Sequence, residues 1–297
     1  SSNLLSPSVW ATSSSATSLN SMPSVLARTQ QIRIASSVGE QGFMDGITAG
    51  SLAVRLGLGD SDIDAAQALR YRVFYEEMTA RPSDEMAANR RDFDRFDGYC
   101  DHLLVIDNER PIGSDQVVGT YRLLRRSVAE RDVGFYSISE YNIDRILEQP
   151  GEILELGRSC VEAPYRNRAT MTLLWRGIAA YVMHYEIPLM FGCASFPGTD
   201  PAEHAMALSY LYFFHLAPDE MRPVAQPEHF VKMDLLTKEE VNGRAAIRAV
   251  PPLIRGYLRL NGFVGDGAVI DRQWNSVDVS IVVKTDLVTR KYKDKLT

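Results

Sequence analysis

The segment Ile153-Leu154-Glu155-Leu156-Gly157-Arg158-Ser159-Cys160-Val161 has the apolar character of a buried strand, yet it carries Glu155 and Arg158. An unpaired carboxylate or guanidinium in a core is costly, so such groups persist when they are paired or at work. Burial raises a carboxyl's pKa toward neutrality, which makes Glu155 a candidate general base. A guanidinium is a planar two-pronged donor, so Arg158 suits either a carboxylate ligand or Glu155 itself. Gly157 between them predicts a bulge or the close approach of another backbone. The plainer alternative is a Glu155–Arg158 ion pair with no chemistry.

Further ionisable residues lie upstream. The spacing of Ala66, Leu69 and Val73 predicts a helix over 62–78, capped by Asp62 or Asp64. Arg70 and Phe74 share one stripe of it. The loop Arg91-Asp92-Phe93-Asp94-Arg95-Phe96-Asp97 follows, then strands at 102–106 and 116–124, the second carrying Arg122. A short helical stretch at 143–147 precedes the Glu155 strand. A long helix spans 170–186, with Leu174, Ile178 and Tyr181 at core spacing, and a short buried strand at 188–196 contains Phe191. Helices at 201–217, 238–248 and 251–261 follow, and a hairpin of 268–271 with 277–283 closes the chain. Asp278 sits in that last run and reads as a strand-edge polar residue rather than a substrate contact.

Several motifs in this order resemble a known family. Arg70-x-x-x-Phe74, Asp94-x-x-Asp97, Gly119-x-x-Arg122 and Glu155-x-x-Arg158 are similar to those of acyl-homoserine lactone synthases. Tyr165-Arg166-Asn167-Arg168, Leu174-Trp175-Arg176-Gly177 and Pro251–Leu260 resemble instead the hemolysin-like acyltransferases, and among them the ornithine Nα-acyltransferases. The likeness spans about Leu52 to Leu287. It implies an α/β GNAT-like acyltransferase fold: a central mixed sheet with splayed parallel strands, flanking helices, and a helical insertion at about 200–262. It also implies transfer of a 3-hydroxyacyl chain from acyl carrier protein to the α-amine of L-ornithine, giving lyso-ornithine lipid.

The same resemblance implies roles for named residues. Glu155 would be the base, and Arg158 its partner or the holder of the acceptor's carboxylate. Arg70, Phe74, Asp94, Asp97 and Arg122 would form the acceptor pocket, the aspartates facing ornithine's distal ammonium. A backbone N–H near 161–163 would serve the thioester carbonyl. The family's phosphate loop is glycine-rich, whereas Arg166-Asn167-Arg168-Ala169-Thr170-Met171 has no glycine. This points away from coenzyme A and toward the single phosphate of 4'-phosphopantetheine on an acidic carrier protein, with Arg166, Arg168 and Arg176 as contacts. No separate cofactor is implied. Tyr210–Phe214 and Phe191 could line an acyl tunnel, although aromatics at helical spacing more often fill a core. Acyl-homoserine lactone synthesis and a membrane-active protein without enzymatic function are the competing readings.

Composition sets the outer limits. The 297 residues are 45% hydrophobic, enough for a full core, and the net charge of −6 argues against nucleic-acid binding. Three cysteines at no metal-like spacing read as reduced thiols of a cytoplasmic protein, and five scattered histidines indicate no metal site. His102 and His184 read as packing residues. No run reaches a membrane span's length. Residues 1–45 read as a disordered Ser-rich tail and 46–288 as the catalytic domain. Residues 289–297 read as a basic tail suited to transient contact with an anionic membrane.

Overall fold

Strand-forming runs rich in Val, Ile and Leu build one nine-stranded sheet in the computed structural model, which describes residues 41–293. Strands β1 (Thr48–Ala49), β2 (Leu52–Leu56), β3 (Asp101–Asp107) and β4 (Val117–Arg125) are successive antiparallel neighbours. A separate two-stranded ribbon joins β5 (Tyr141–Asn142) to β8 (Val224–Ala225). β4 pairs antiparallel with β6 (Ile153–Val161), and β6 runs parallel to β7 (Leu189–Pro197). β9 (Phe263–Val264) and β10 (Val269–Asp271) both pair with β11 (Ser276–Lys284). β11 is not one arm of an isolated hairpin, because it pairs along the whole of β7 and so sits inside the sheet. Asp278 is therefore internal and 5% exposed, which corrects the strand-edge reading.

The parallel pair is short. Ile153, Leu154 and Glu155 face Leu189, Met190 and Phe191, and beyond them the strands part. Gly192 lies at the parting, where a Cβ would come within 2.3 Å of the Leu156 carbonyl oxygen. Only glycine lets the two backbones approach there before they splay. An apolar cleft opens in the gap, lined in part by Leu156, Met190, Phe191, Tyr257 and Ile281.

Helices cover both faces. α1 (Asp60–Tyr71) continues as a π-helical turn, Arg72–Glu77. Neither Asp62 nor Asp64 caps it: Gly59 is the N-cap, Asp62 pairs with Arg55 of β2, and Asp64 pairs with Arg91. α2 (Asp84–Asn89), α3 (Arg126–Ala129) and α4 (Asp144–Leu147) are short. α5 (Arg168–His184) is the long helix that the 3–4 spacing predicts, capped by Asn167, whose side chain accepts the Thr170 N–H. Its Leu174, Ile178 and Tyr181 are buried in the largest apolar cluster. The expected insertion contains α6 (Ala205–His215), α7 (Gly243–Ala249) and α8 (Pro252–Leu258). None of Tyr210–Phe214 in α6 lines the cleft, so the tunnel reading keeps only Phe191. His102 reaches the Asp97 carbonyl and His184 stacks on Phe43, in keeping with packing roles.

α9 (Asp286–Lys293) corrects the expectation of a tail from residue 289. Val288 and Tyr292 are buried in the main core, and Arg290 pairs with Asp286 one turn earlier. The two apolar residues stand four apart, so they share the inward stripe. Tyr292→Ala should therefore cost about 3 kcal/mol, or roughly 6–12 °C in melting temperature for a domain of this size. Calorimetry checks it, and an unchanged melting point would mean that α9 contributes nothing to the core. Residues 1–40 and 294–297, which hold most of the Ser-rich segment and the chain's end, lie outside the described residues. Among the described residues no helix is long and apolar enough to cross a membrane.

Candidate active site

β6 carries the bulge that its sequence predicts, but the residue in the left-handed region is Arg158 (φ 51°), not Gly157. The β4–β6 register shifts between Thr120 and Arg122, opposite this point. The extra residue turns Arg158 toward the sheet face that also bears Glu155 and Arg122. Holding a non-glycine residue there costs energy, which is common where a side chain must be aimed. No backbone approaches Gly157 closely: a Cβ there would meet nothing within 4 Å. A small open space therefore adjoins Arg158 and Glu155 on an otherwise packed strand.

Glu155 and Arg158 do not form an ion pair, so the structure excludes that reading. Arg158 Nε donates to Asp92 (3.1 Å) and Nη2 to Asp94 (3.1 Å). Arg70 Nε donates to Asp92, while its Nη1 and Nη2 reach Asp97, all at 2.7–2.9 Å. Arg122 clasps Asp94 with both Nη atoms and also reaches Asp97. Three arginines and three aspartates thus neutralise one another. Burial alone would raise the Asp92 and Asp97 carboxyls, but the Arg70 guanidinium, with Arg158 or Arg122, holds both below the usual carboxylate range. Asp94 and Asp97 are consumed in this network and are not an open receptor for an ammonium. Asp92, which the motif reading left out of the pocket, is its most buried carboxylate.

Arg70 and Phe74 do converge, through different partners. Arg70 reaches Arg158 by way of Asp92, whereas Phe74 packs edge-on against Trp274 (5.2 Å between ring centroids). The Arg158 guanidinium lies over that same indole at 4.4 Å, and 5.2 Å from the Tyr136 ring. Trp274 belongs to the β10–β11 turn, and its N–H is held by Asp271 (3.1 Å).

Glu155 has its own setting. Its two carboxylate oxygens accept the N–H groups of Tyr136 and Ser137, each at 2.8 Å. Burial raises its pKa, and the Ser137 and Tyr136 donors with Arg122 pull the other way without cancelling the effect. Ser137 Oγ lies 3.7 Å from Cys193 Sγ on β7. Burial, with the Glu140 and Asp278 carboxylates, pushes the Cys193 thiol up, which disfavours the thiolate that a nucleophile needs. The segment Phe135–Glu140 forms the wall over Glu155, and no sequence pattern marked it.

Arg166 and Arg168 sit just before and at the start of α5, beside the splayed strands. Both are exposed. Arg166 donates to the Val161 carbonyl and pairs with Glu77. Arg176 does not join them. It lies two turns along α5, where its Nη1 reaches the Thr48 carbonyl (3.2 Å). Tyr257 of α8 meets Tyr121 hydroxyl to hydroxyl beneath the cleft, which gives the Pro251–Leu260 segment its place in the site.

Splayed parallel strands, an apolar cleft between them and a buried carboxylate at their last paired residue define a GNAT-fold N-acyltransferase, and residues 69–176 match the family model described as an acetyltransferase (GNAT) domain. The chain is 48% identical over 246 residues to the L-ornithine N(alpha)-acyltransferase of Brucella abortus, covering 82% of this chain and 88% of that one. It is 48% identical over 245 residues to the Rhizobium meliloti protein of the same name (82% and 83% covered). To that of Rhodobacter capsulatus it is 42% identical over 248 residues (83% and 95% covered). The chain belongs to the L-ornithine Nα-acyltransferase family.

Proposed function

We propose that this protein moves a 3-hydroxyacyl group from the thioester of acyl carrier protein to the α-amine of L-ornithine, giving lyso-ornithine lipid. The observation that carries this reading is the open space at Gly157, flanked by Glu155 and Arg158 at the mouth of the β6–β7 cleft. The thioester arm enters by the cleft, and the amine approaches from the face of Glu155. Glu155 takes a proton from the α-ammonium, the freed amine attacks the thioester carbonyl, and the C–S bond breaks as the amide forms, the departing thiolate taking the second proton that the nitrogen loses. A backbone N–H of β6 beyond the bulge holds the carbonyl oxygen, and fixed geometry supplies much of the rate. Arg158 spends Nε on Asp92 and Nη2 on Asp94, and the remaining Nη1 faces the acceptor's carboxylate.

Donor choice follows from charge. Arg166 and Arg168 are exposed beside the cleft, and the loop that carries them lacks the glycines that would let backbone N–H groups wrap a pyrophosphate. Arg168→Glu should slow the acyl-carrier reaction far more than that of a small acyl-pantetheine. The defect should shrink as salt rises, since attraction to an acidic partner is screened beyond about 8–10 Å. Rates measured with both donors at two ionic strengths check this, and equal losses would remove Arg168 from the docking surface. The product is an amphiphile, so a cytoplasmic enzyme resting transiently on an anionic membrane fits the chemistry. The exposed Arg290 and Lys291 of α9 suit that contact.

The direct test is reconstitution with L-ornithine labelled at the α-nitrogen and 3-hydroxyacyl carrier protein. Mass spectrometry should find the acyl group on the labelled nitrogen. Acylation of the distal nitrogen, or a homoserine-lactone product from S-adenosylmethionine in its place, would overturn the reading.

A further inference from the structure

A second acidic group lies on the same sheet face and has no arginine to neutralise it. Glu140, Asp271 and Asp278 each place a carboxylate oxygen within 4.8 Å of the others, and among the described residues none of the three is in an ion pair. Asp278 Oδ1 accepts the hydroxyls of Ser195 (2.7 Å) and Ser276 (2.8 Å). Asp271 Oδ1 accepts the Trp274 N–H. Glu140 is different. Its side chain is only 8% exposed, and its Oε2 has no hydrogen-bond partner. The Ser280 hydroxyl, two residues beyond Asp278 on the same face of β11 and fully buried, also has none. A buried carboxylate oxygen left unsatisfied beside two more carboxylates forms a site short of a donor. A donor carrying positive charge would satisfy both the hydrogen bonds and the electrostatics.

The position suits the acceptor. Glu140 ends the wall segment whose Tyr136 and Ser137 hold Glu155, and Asp271 holds the turn whose Trp274 lies under Arg158. The group is thus tied to the proposed base on one side and to the proposed carboxylate contact on the other. Ser195, which bonds Asp278, is exposed and Cys193 is half-buried, so the face is reached from solvent along β7. Resting on ornithine as the acceptor, we propose that Glu140, Asp271 and Asp278 receive its distal ammonium group and set the enzyme's preference for a diamino acid. This replaces Asp94 and Asp97, whose charges three arginines already cancel. Burial, followed by mutual repulsion with Asp278 and Asp271, raises the Glu140 carboxyl. Burial likewise raises Asp278, against the Ser195 and Ser276 hydrogen bonds. An arriving ammonium favours the ionised form of both.

The experiment compares L-ornithine with L-norvaline, which has the same carbon chain and no distal amine, as acceptors for the wild type and for Glu140→Gln and Asp278→Asn separately. The wild type should favour ornithine strongly. Each variant should raise the KM for ornithine by about 10- to 100-fold, as loss of a hydrogen bond to a charged group does. The norvaline reaction should suffer much less, so the ratio of kcat/KM between the two acceptors collapses. Equal losses on both acceptors in both variants overturn the proposal, because they mark a structural or catalytic role. A divalent ion copurifying with the protein, whose removal by a chelator abolishes ornithine acylation, overturns it as well. A wild type that leaves ornithine unacylated overturns both this proposal and the acceptor assignment. A wild type that acylates ornithine and norvaline with equal efficiency overturns this proposal alone.

Discussion

Replacing Glu155 by Gln should lower turnover by about 10²-fold or more, the usual consequence of losing a general base. The substitution is nearly isosteric but not neutral in its surroundings. Both Glu155 oxygens accept backbone N–H groups, from Tyr136 and Ser137. A glutamine would aim an NH2 at one of those donors, so the wall segment would shift as well. The pH profile separates the two contributions. A base must be ionised, so wild-type kcat/KM should fall as pH drops through the Glu155 pKa, which burial holds above the ordinary carboxylate value. The variant should lose that acid limb as well as its rate. A low rate with the limb intact would make Glu155 a positioning residue that fixes Tyr136 and Ser137. Near-wild-type turnover would remove it from the reaction.

The frame of the fold was legible in the sequence because it follows from periodicity. The apolar run 153–161 is β6, residue for residue, and the 3–4 spacing of Leu174, Ile178 and Tyr181 placed the long helix within two residues at each end. The motif residues Arg70, Asp94, Asp97, Arg122 and Arg158 do come together. Their pairing was not legible, since spacing shows which residues share a face and not which charge each guanidinium meets. Glu155 and Arg158 are three apart in a strand that bulges between them, and the bulge sends one to the wall segment and the other to the aspartates. Asp278 looked like an edge residue because it is a lone charged side chain between Val277 and Val279, yet full pairing with β7 buries it. Glu140 and Trp274 lie in a helical turn and a hairpin turn with no pattern of their own. They enter the site through tertiary contacts that no local signal reports.

The largest effect on stability is expected at Arg70. Its guanidinium is fully buried and donates to two carboxylates and to the Asp92 carbonyl. Arg70→Met keeps much of the volume and removes every one of those donors. Breaking one side of a buried ion network leaves uncompensated charge, so the variant should lose about 3–5 kcal/mol, read from urea midpoints at neutral pH. Adding Asp92→Asn should cost less than the sum of the two single changes, since the second removes a charge the first stranded. Additive losses would mean that Arg70 acts through packing alone. The acid response carries a second signature. Asp92 and Asp97 titrate lower when folded, so their stabilising contribution is present above the unfolded value of about 3.9 and is lost as pH falls through the folded values. Without Arg70 the folded and unfolded values converge, and the acid slope of stability should flatten. Arg158 shares Asp92 with Arg70, so the same variant should also loosen the Arg158 guanidinium over Trp274 and raise the KM for ornithine. A stability loss with an unchanged KM would show that Asp94 alone suffices to aim Arg158.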